Sequence, residues 1–210
     1  MTNNNIYIQS SLAEFVVPRE ALGIDGSCGV EMQEITEKVQ FNLRCDMSML
    51  ARSSNHAEPF FGSIAELSSN RFSVHADYEC YWLGPDERLL VARRDKSNLI
   101  TQACSRLHLL HHALTDLSDA QTIIQLSGEE AQTILMHGSM FDFHQQSFTT
   151  EMCAQTLLAG VPTLISCHTD TKLGLLFYRL YIRRSYADYL SLWLIDAASE
   201  VGFRIVLNES

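Results

Sequence analysis

The chain has 210 residues, of which 46% are apolar and 19% charged, and its formal net charge at pH 7 is −10. That is enough chain for one domain with a real core, or for a domain plus an extension. The acidic balance argues against nucleic acid or an anionic membrane as partner, because phosphate binding needs a surplus of Lys and Arg.

Cysteines stand at positions 28, 45, 80, 104, 153 and 167, with no C-x-x-C and no close pair. The first residues, MTNNNIYIQSS, are polar and lack a basic start followed by an apolar run. Free thiols and a cytoplasmic location are therefore expected. No membrane span is expected either: the most apolar stretch, 173–195, carries Arg179, Arg183, Arg184 and Asp188.

Residues 1–58 read as an N-terminal arm or extension, with scattered turn residues and one strand candidate at Val39–Leu43. Residues 59–210 read as an α+β domain. Phe72–Leu83 holds a strand, Leu83–Glu87 (LGPDE) a turn, and Arg88–Ala92 the second arm of a hairpin. A helix is expected over Lys96–His112, with Leu99, Ile100, Ala103, Leu107 and Leu110 on one face. Asp116–Leu126 reads as one strand, and Ser127–Glu130 (SGEE) as a capping box for a short helix ending at Gly138. Strands follow at Cys153–Leu158, Pro162–Ser166 and Leu175–Ile182. The last helix shows Tyr186, Tyr189, Leu190, Trp193, Leu194 and Ala197 at three- and four-residue steps. Hairpin pairs among alternating strands and helices favour an α+β fold with mainly antiparallel sheets packed with helices.

The residues offer little catalytic chemistry. His108, His111 and His112 share helical spacing but lack a carboxylate or thiol nearby, and a solvated helix end explains them better than a metal site. His137 and His144 flank a turn. Ser127 belongs to a helix cap and not to a G-x-S-x-G elbow, and Cys153 lacks an evident base. Glu129, Glu130, Asp116 and Asp119 fit caps and turns, and no glycine-rich dinucleotide loop is present. No catalytic, cofactor-binding or metal-binding residue is assigned. The residues expected at an interface are Arg183, Arg184, Tyr186 and Trp193, since arginine beside aromatic residues is typical of binding hot spots.

Six segments in order resemble the gamma subunit of heterotetrameric sarcosine oxidase. They are Phe41–Asp46 (FNLRCD), Trp82–Leu90 (WLGPDERLL), Asp116–Leu135, Met140–His144 (MFDFH), Cys153–Ile165 (CAQTLLAGVPTLI) and Arg183–Ala198. The resemblance runs from about Val30 to Gly202, and CAQTLLAG followed by RSYADYL is its most specific part. Singly, LGPDE and LSGEEA also fit the wider folate-binding aminomethyltransferase fold.

The resemblance implies a non-catalytic structural subunit, beside large alpha and beta flavoprotein subunits and a small delta subunit, in a complex that oxidatively demethylates sarcosine to glycine. It gives the complex FAD, FMN, NAD and tetrahydrofolate as cofactors, places the first three in the large subunits and zinc in the smallest, and assigns none of them to this chain. Cys45 departs from the family pattern, where glycine often follows NLR. Two alternatives remain: a gamma-type subunit of a related N-methyl amino acid oxidoreductase, and a stand-alone tetrahydrofolate-binding or C1-transfer protein using Asp116 or Asp119.

Overall fold

The structure, a computed structural model, describes residues 10–13, 17–53, 59–107 and 110–206. In chain order the elements begin β1 (Glu20–Leu22), β2 (Val30–Glu34), β3 (Lys38–Cys45), α1 (Met47–Ser53) and α2 (Pro59–Ala65). They continue with β4 (Phe72–Val74), β5 (Tyr78–Gly84), β6 (Glu87–Arg93), α3 (Ser97–Ser105), β7 (His112–Asp116) and β8 (Gln121–Ser127). The last are α4 (Ala131–Gly138), β9 (Cys153–Leu158), β10 (Val161–Thr169), β11 (Leu176–Arg183), α5 (Ala187–Ala197) and β12 (Gly202–Val206).

The strands form a seven-stranded sheet, β1-β12-β2-β8-β11-β10-β9, and a five-stranded sheet, β4-β5-β6-β3-β7. Every pairing is antiparallel except β12 with β2. This is the mixed, mainly antiparallel α+β architecture expected from the sequence.

Strand alternation sorts the side chains into layers. Leu90 and Ala92 of β6, with Phe41 and Leu43 of β3, pack on Leu50, Ile64 and Ile100 of the first three helices. Leu180 and Ile182 of β11, with Ile165 of β10, pack on Ile134, Leu190 and Leu194 of the last two helices. The opposite faces of the sheets meet each other through Tyr81, Leu89, Val91, Ile123, Leu164 and Tyr181. The order is thus helices, sheet, sheet, helices. Buried Arg88 ties β6 to α2: its Nε donates to Ile64 O at 2.9 Å, one of the carbonyls that a helix end leaves free.

The segment expected as an arm supplies β2 and β3, and both are inner strands: β2 lies between β12 and β8, and β3 between β6 and β7. Its α1 packs with α2 in one apolar cluster, so the expected boundary at 58/59 falls within a core. Residues 54–58 lie outside the described residues.

Several elements differ from expectation, each for a local reason. The strand read at 116–126 is two strands in different sheets. Asp116 Oδ1 accepts from Ser118 N (2.9 Å) and Oγ (2.6 Å), and the turn closes through Ala120 N to Leu117 O. Likewise 72–83 divides into β4 and β5, which pair with Phe72 opposite Tyr81. The helix expected to reach His112 ends at Ser105, where the amides of Arg106 and Leu107 donate to Ala103 O and Cys104 O, three residues back. Leu107 and Leu110 stay buried, so the apolar spacing outlasts the helix.

The capping box does not form. Ser127 ends β8, and Glu130, at the cap position of α4, makes no side-chain cap bond. Its backbone amide donates instead to Gly29 O at 3.1 Å. Gly138 is the last residue of α4, and a Cβ there would stand 2.5 Å from the Trp193 ring. Its role is close packing in place of the expected C-terminal cap. The buried face of α5 is Ala187, Leu190, Ser191 and Leu194, rotated from the expected one. Tyr189 is 54% exposed, with its hydroxyl on Ala159 O. The tail beyond this helix is β12, inside the seven-stranded sheet.

Candidate functional site

The layer between the sheets holds the chain's most unusual chemistry. Glu79, on β5, faces Lys38 of β3 and Arg179 of β11. The Lys38 ammonium donates to Glu79 Oε1, and Arg179 Nη1 donates to both Glu79 oxygens at 2.8 and 2.9 Å. Tyr81 donates to Glu79 Oε2 at 2.6 Å and receives the Tyr181 hydroxyl at 2.6 Å. Arg179 also lies 5.4 Å over the Phe177 ring. The charged side chains are only 12–14% exposed.

Burial alone would raise the Glu79 carboxyl, but Arg179, Lys38 and the hydrogen bonds outweigh it and hold the group at about 2. Lys38 is lowered from the ordinary ammonium value by burial and by Arg179, against the pull of Glu79. Two cations share one carboxylate, and Arg179, whose Nη1 bridges both oxygens, has the larger effect on it. His168, stacked 4.9 Å from Phe177 and bonded to Ser166 Oγ at 2.8 Å, is pushed to about 3 by burial and Arg179. It is neutral near pH 7.

This network is internally bonded and closed. One end of the layer opens as a cleft of about 1180 Å³ between the facing sides of the two sheets, lined from β3, β5, β6 and β7 on one side and from β8 to β11 on the other. The other end holds a polar pocket of about 220 Å³ lined by Glu34, Lys38, Arg94, Asp119 and Arg184. The Glu34 carboxylate there accepts from Ser10 Oγ, Ser11 N and Thr122 Oγ1.

The expected interface residues do not form one patch. Arg183 is exposed and lines the cleft, whereas Arg184 lines the polar pocket and its amide donates to Ala120 O. Tyr186 is 38% exposed just before α5, and Trp193 packs its ring over Gly138 and against the core.

The candidate chemical residues are equally dispersed. Cys153 Sγ donates to Arg71 O, and burial pushes its thiol up to about 12. Burial likewise puts Cys80 and Cys104 at about 12 and Cys167 at about 11. Such thiols are almost wholly protonated near neutrality and poor nucleophiles. His112 begins β7 and lies off the helix, and His108 is outside the described residues, so the shared helical face of the histidines is absent. Among the described residues no group of three or more His, Cys, Asp or Glu is placed to hold a metal ion.

Tetrahydrofolate, the group suggested by the alternative reading, finds a poor fit. The carboxylate of Asp116 is committed to its own turn, and Asp119 lines a pocket smaller than the roughly 300–1,000 Å³ of ordinary ligand sites.

Lys38, Glu79 and Arg179 are not among the site residues expected from the sequence. Their signal was a charged residue of the same strand parity as large aromatic residues: Glu79 with Tyr81, and Arg179 with Phe177 and Tyr181.

Comparison with known proteins places this architecture. The model of the sarcosine oxidase, gamma subunit family matches residues 68–200. The chain belongs to that family. The match contains five of the six resembling segments and leaves out Phe41–Asp46.

Among relatives of this gamma-subunit family, the chain is 28% identical over 195 residues to sarcosine oxidase subunit gamma of Corynebacterium sp. (strain U-96), covering 91% of this chain and 90% of that one. It is 30% identical over 119 residues to the subunit gamma of strain P-1, covering 57% and 56%. A chain of heterotetrameric sarcosine oxidase from Corynebacterium sp. U-96, solved in complex with pyrrole 2-carboxylate, superposes with a TM-score of 0.73 at 25% identity, covering 92% of this chain and 95% of that one. Glycine cleavage system aminomethyltransferase T from Bartonella henselae shares the fold, with a TM-score of 0.64 at 11% identity over 86% of this chain and 48% of that one. No helix of the described residues is long and apolar enough to cross a membrane.

Proposed function

We propose that this chain is the gamma subunit of a heterotetrameric sarcosine oxidase and acts as a structural, non-catalytic component. The observation that carries this reading is the end-to-end superposition on a chain of that assembly, 92% of one and 95% of the other. The partners are then large alpha and beta flavoprotein subunits and a small delta subunit. FAD, FMN, NAD and zinc belong to those subunits, and the complex is cytoplasmic.

The chemistry of the layer between the sheets supports a non-catalytic role. Its carboxylate is locked in an ion pair, its imidazole is neutral, and the buried thiols are held well above neutrality. None of these groups is poised to exchange a proton near pH 7.

Arg183, Arg184, Tyr186 and Trp193 remain the proposed anchors, although Trp193 already serves the intramolecular packing of α4 on α5.

The test is co-expression with the partner subunits, followed by size-exclusion chromatography with light scattering and flavin absorbance. A yellow complex containing this chain is expected. A colourless monomer separate from the flavoprotein would refute the subunit reading. Calorimetric titration with tetrahydrofolate checks the stand-alone alternative, and no heat at millimolar ligand is expected.

A further inference from the structure

We infer that the cleft at the open end of the layer between the two sheets is the seat of an extended segment of a partner subunit, apolar in sequence and carrying a carboxylate that pairs with Arg183. The inference rests on the subunit reading above and names the surface that reading requires.

Both walls of the cleft carry apolar residues among polar ones. Leu83, Leu89 and Leu117 line it from the five-stranded sheet and the turn that leaves it, and Leu157, Pro162 and Leu164 from the seven-stranded sheet. Leu157 is 56% exposed, and Pro162, its partner across β9 and β10, is exposed too. An apolar floor with a polar rim is the anatomy of a protein interface. At about 1180 Å³ the cleft exceeds the roughly 300–1,000 Å³ usual for small-molecule sites.

The edge of β9 suits a peptide backbone. Pro162 has no amide hydrogen, so its pair with Leu157 is a non-hydrogen-bonded one, and Leu157 turns its own N–H and C=O away from β10. Gln155, two residues earlier, does the same. The flanking amides on this outer side are already taken: Cys153 donates to Asn70 O at 2.9 Å and Ala159 to Gly138 O at 2.7 Å. A short open stretch thus lies between two closed ends, the type of edge to which an extended segment adds.

Charge supplies the last element. Arg44 at the rim is paired with Glu87 at 2.7 Å, and Arg204 with Glu20 and Glu31. Arg183 is exposed and has no ion-pair partner among the described residues, in a chain whose net charge is −10. It lies on β11 in the row of Gln121, on the cleft face. An isolated cation at the mouth of an apolar cleft is complementary to an acidic residue flanked by apolar ones.

The test uses the co-expressed complex, with Leu157→Glu and Arg183→Glu in the cleft and Leu192→Asp on the exposed side of α5. All three residues are exposed, and unchanged thermal midpoints of the variant chains would show that folding is intact. Each cleft variant is expected to lower the apparent affinity for the flavin-containing subunits at least tenfold, while Leu192→Asp leaves it unchanged. The Arg183→Glu defect should shrink as salt is raised, which a packing fault would not do.

Assembly unaffected by both cleft variants would overturn the inference. So would a complex broken by Leu192→Asp alone, or cleft variants that assemble normally but lose a bound small molecule. If the unaltered chain fails to assemble, the subunit reading falls and this inference with it.

Discussion

Replacing Glu79 by Gln isolates the charge at the centre of the fold while keeping its shape. The carboxylate lies at about 2 in the folded chain against an ordinary 4.5. That depression corresponds to about 3 kcal/mol of stability at neutral pH. Removing the charge also strands Arg179 and Lys38 together, each little exposed, and breaking a buried ion pair costs about 3 to 5 kcal/mol. For a chain of this size the thermal midpoint should fall by roughly 10 °C.

The sign of the pH dependence follows from the depressed value. The contribution of Glu79 is complete above about pH 4.5 and is lost as pH falls through about 2. The gap between the unaltered chain and Glu79→Gln should therefore close by about half or more on going from pH 7 to pH 3.

Lys38 provides the internal control. It is the surplus cation, lowered by burial and by Arg179, so Lys38→Met should cost less than about 1 kcal/mol. The assay is thermal unfolding of the purified chain followed by the fluorescence of Trp82 and Trp193. A midpoint loss under about 2 °C for Glu79→Gln would refute the reasoning. An equal loss for Lys38→Met, or a gap that does not change with pH, would refute it as well.

Three further outcomes are expected. In Gly128→Ala the new Cβ would stand 2.3 Å from Gly29 O at a φ of +109°, so the variant should lose about 2 to 4 kcal/mol in urea titration. Gly138→Ala brings a Cβ to 2.5 Å from the Trp193 ring and 2.7 Å from Leu158, for a net cost of about 1 kcal/mol after the gain in helix propensity. That cost should shrink, with the Leu158 contact remaining, when Trp193→Ala is the background, as a double-mutant cycle would show. Of the cysteines, Cys28 alone is partly exposed, so a thiol reagent at pH 8 should modify one group per native chain rapidly, and Cys28→Ser should abolish that phase.

What was legible in the sequence was local. The hairpin at Pro85–Asp86 declares itself because its turn residues lie between two apolar runs, and the two strand runs flanking Gly160 pair as a hairpin. The division of 116–126 was hidden because DLSD provides a turn without glycine or proline, inside a run that otherwise alternates as one strand. Helix 96–112 was overextended because Leu107 and Leu110 keep helical spacing while packing from a non-helical backbone. The inner position of β3 was obscured by Gln40 and Asn42, which line the polar pocket and the cleft at the two ends of the layer between the sheets. Long-range pairing had no local signal: Arg179 meets Glu79 across 100 residues.

The placement of the chemistry bears on how such a chain acts. In this fold Glu79, His168 and Cys153 lie in the space between the sheets and Cys80 on the helix side of the five-stranded sheet, where burial and pairing fix their protonation. Glu79 stays ionised, His168 stays neutral, and the thiols of Cys80 and Cys153 stay protonated across the physiological range. Tyr81, Tyr181 and Phe72 fill the same layer, with ring centroids 4.9 and 5.0 Å apart, so its centre is a packed core. The chain instead offers surface: an open strand edge, half-exposed Leu157 above a wide cleft, and at its mouth Arg183, without an ion-pair partner among the described residues. Covering those features with another chain would gain free energy, which is what the proposed subunit role requires of this surface.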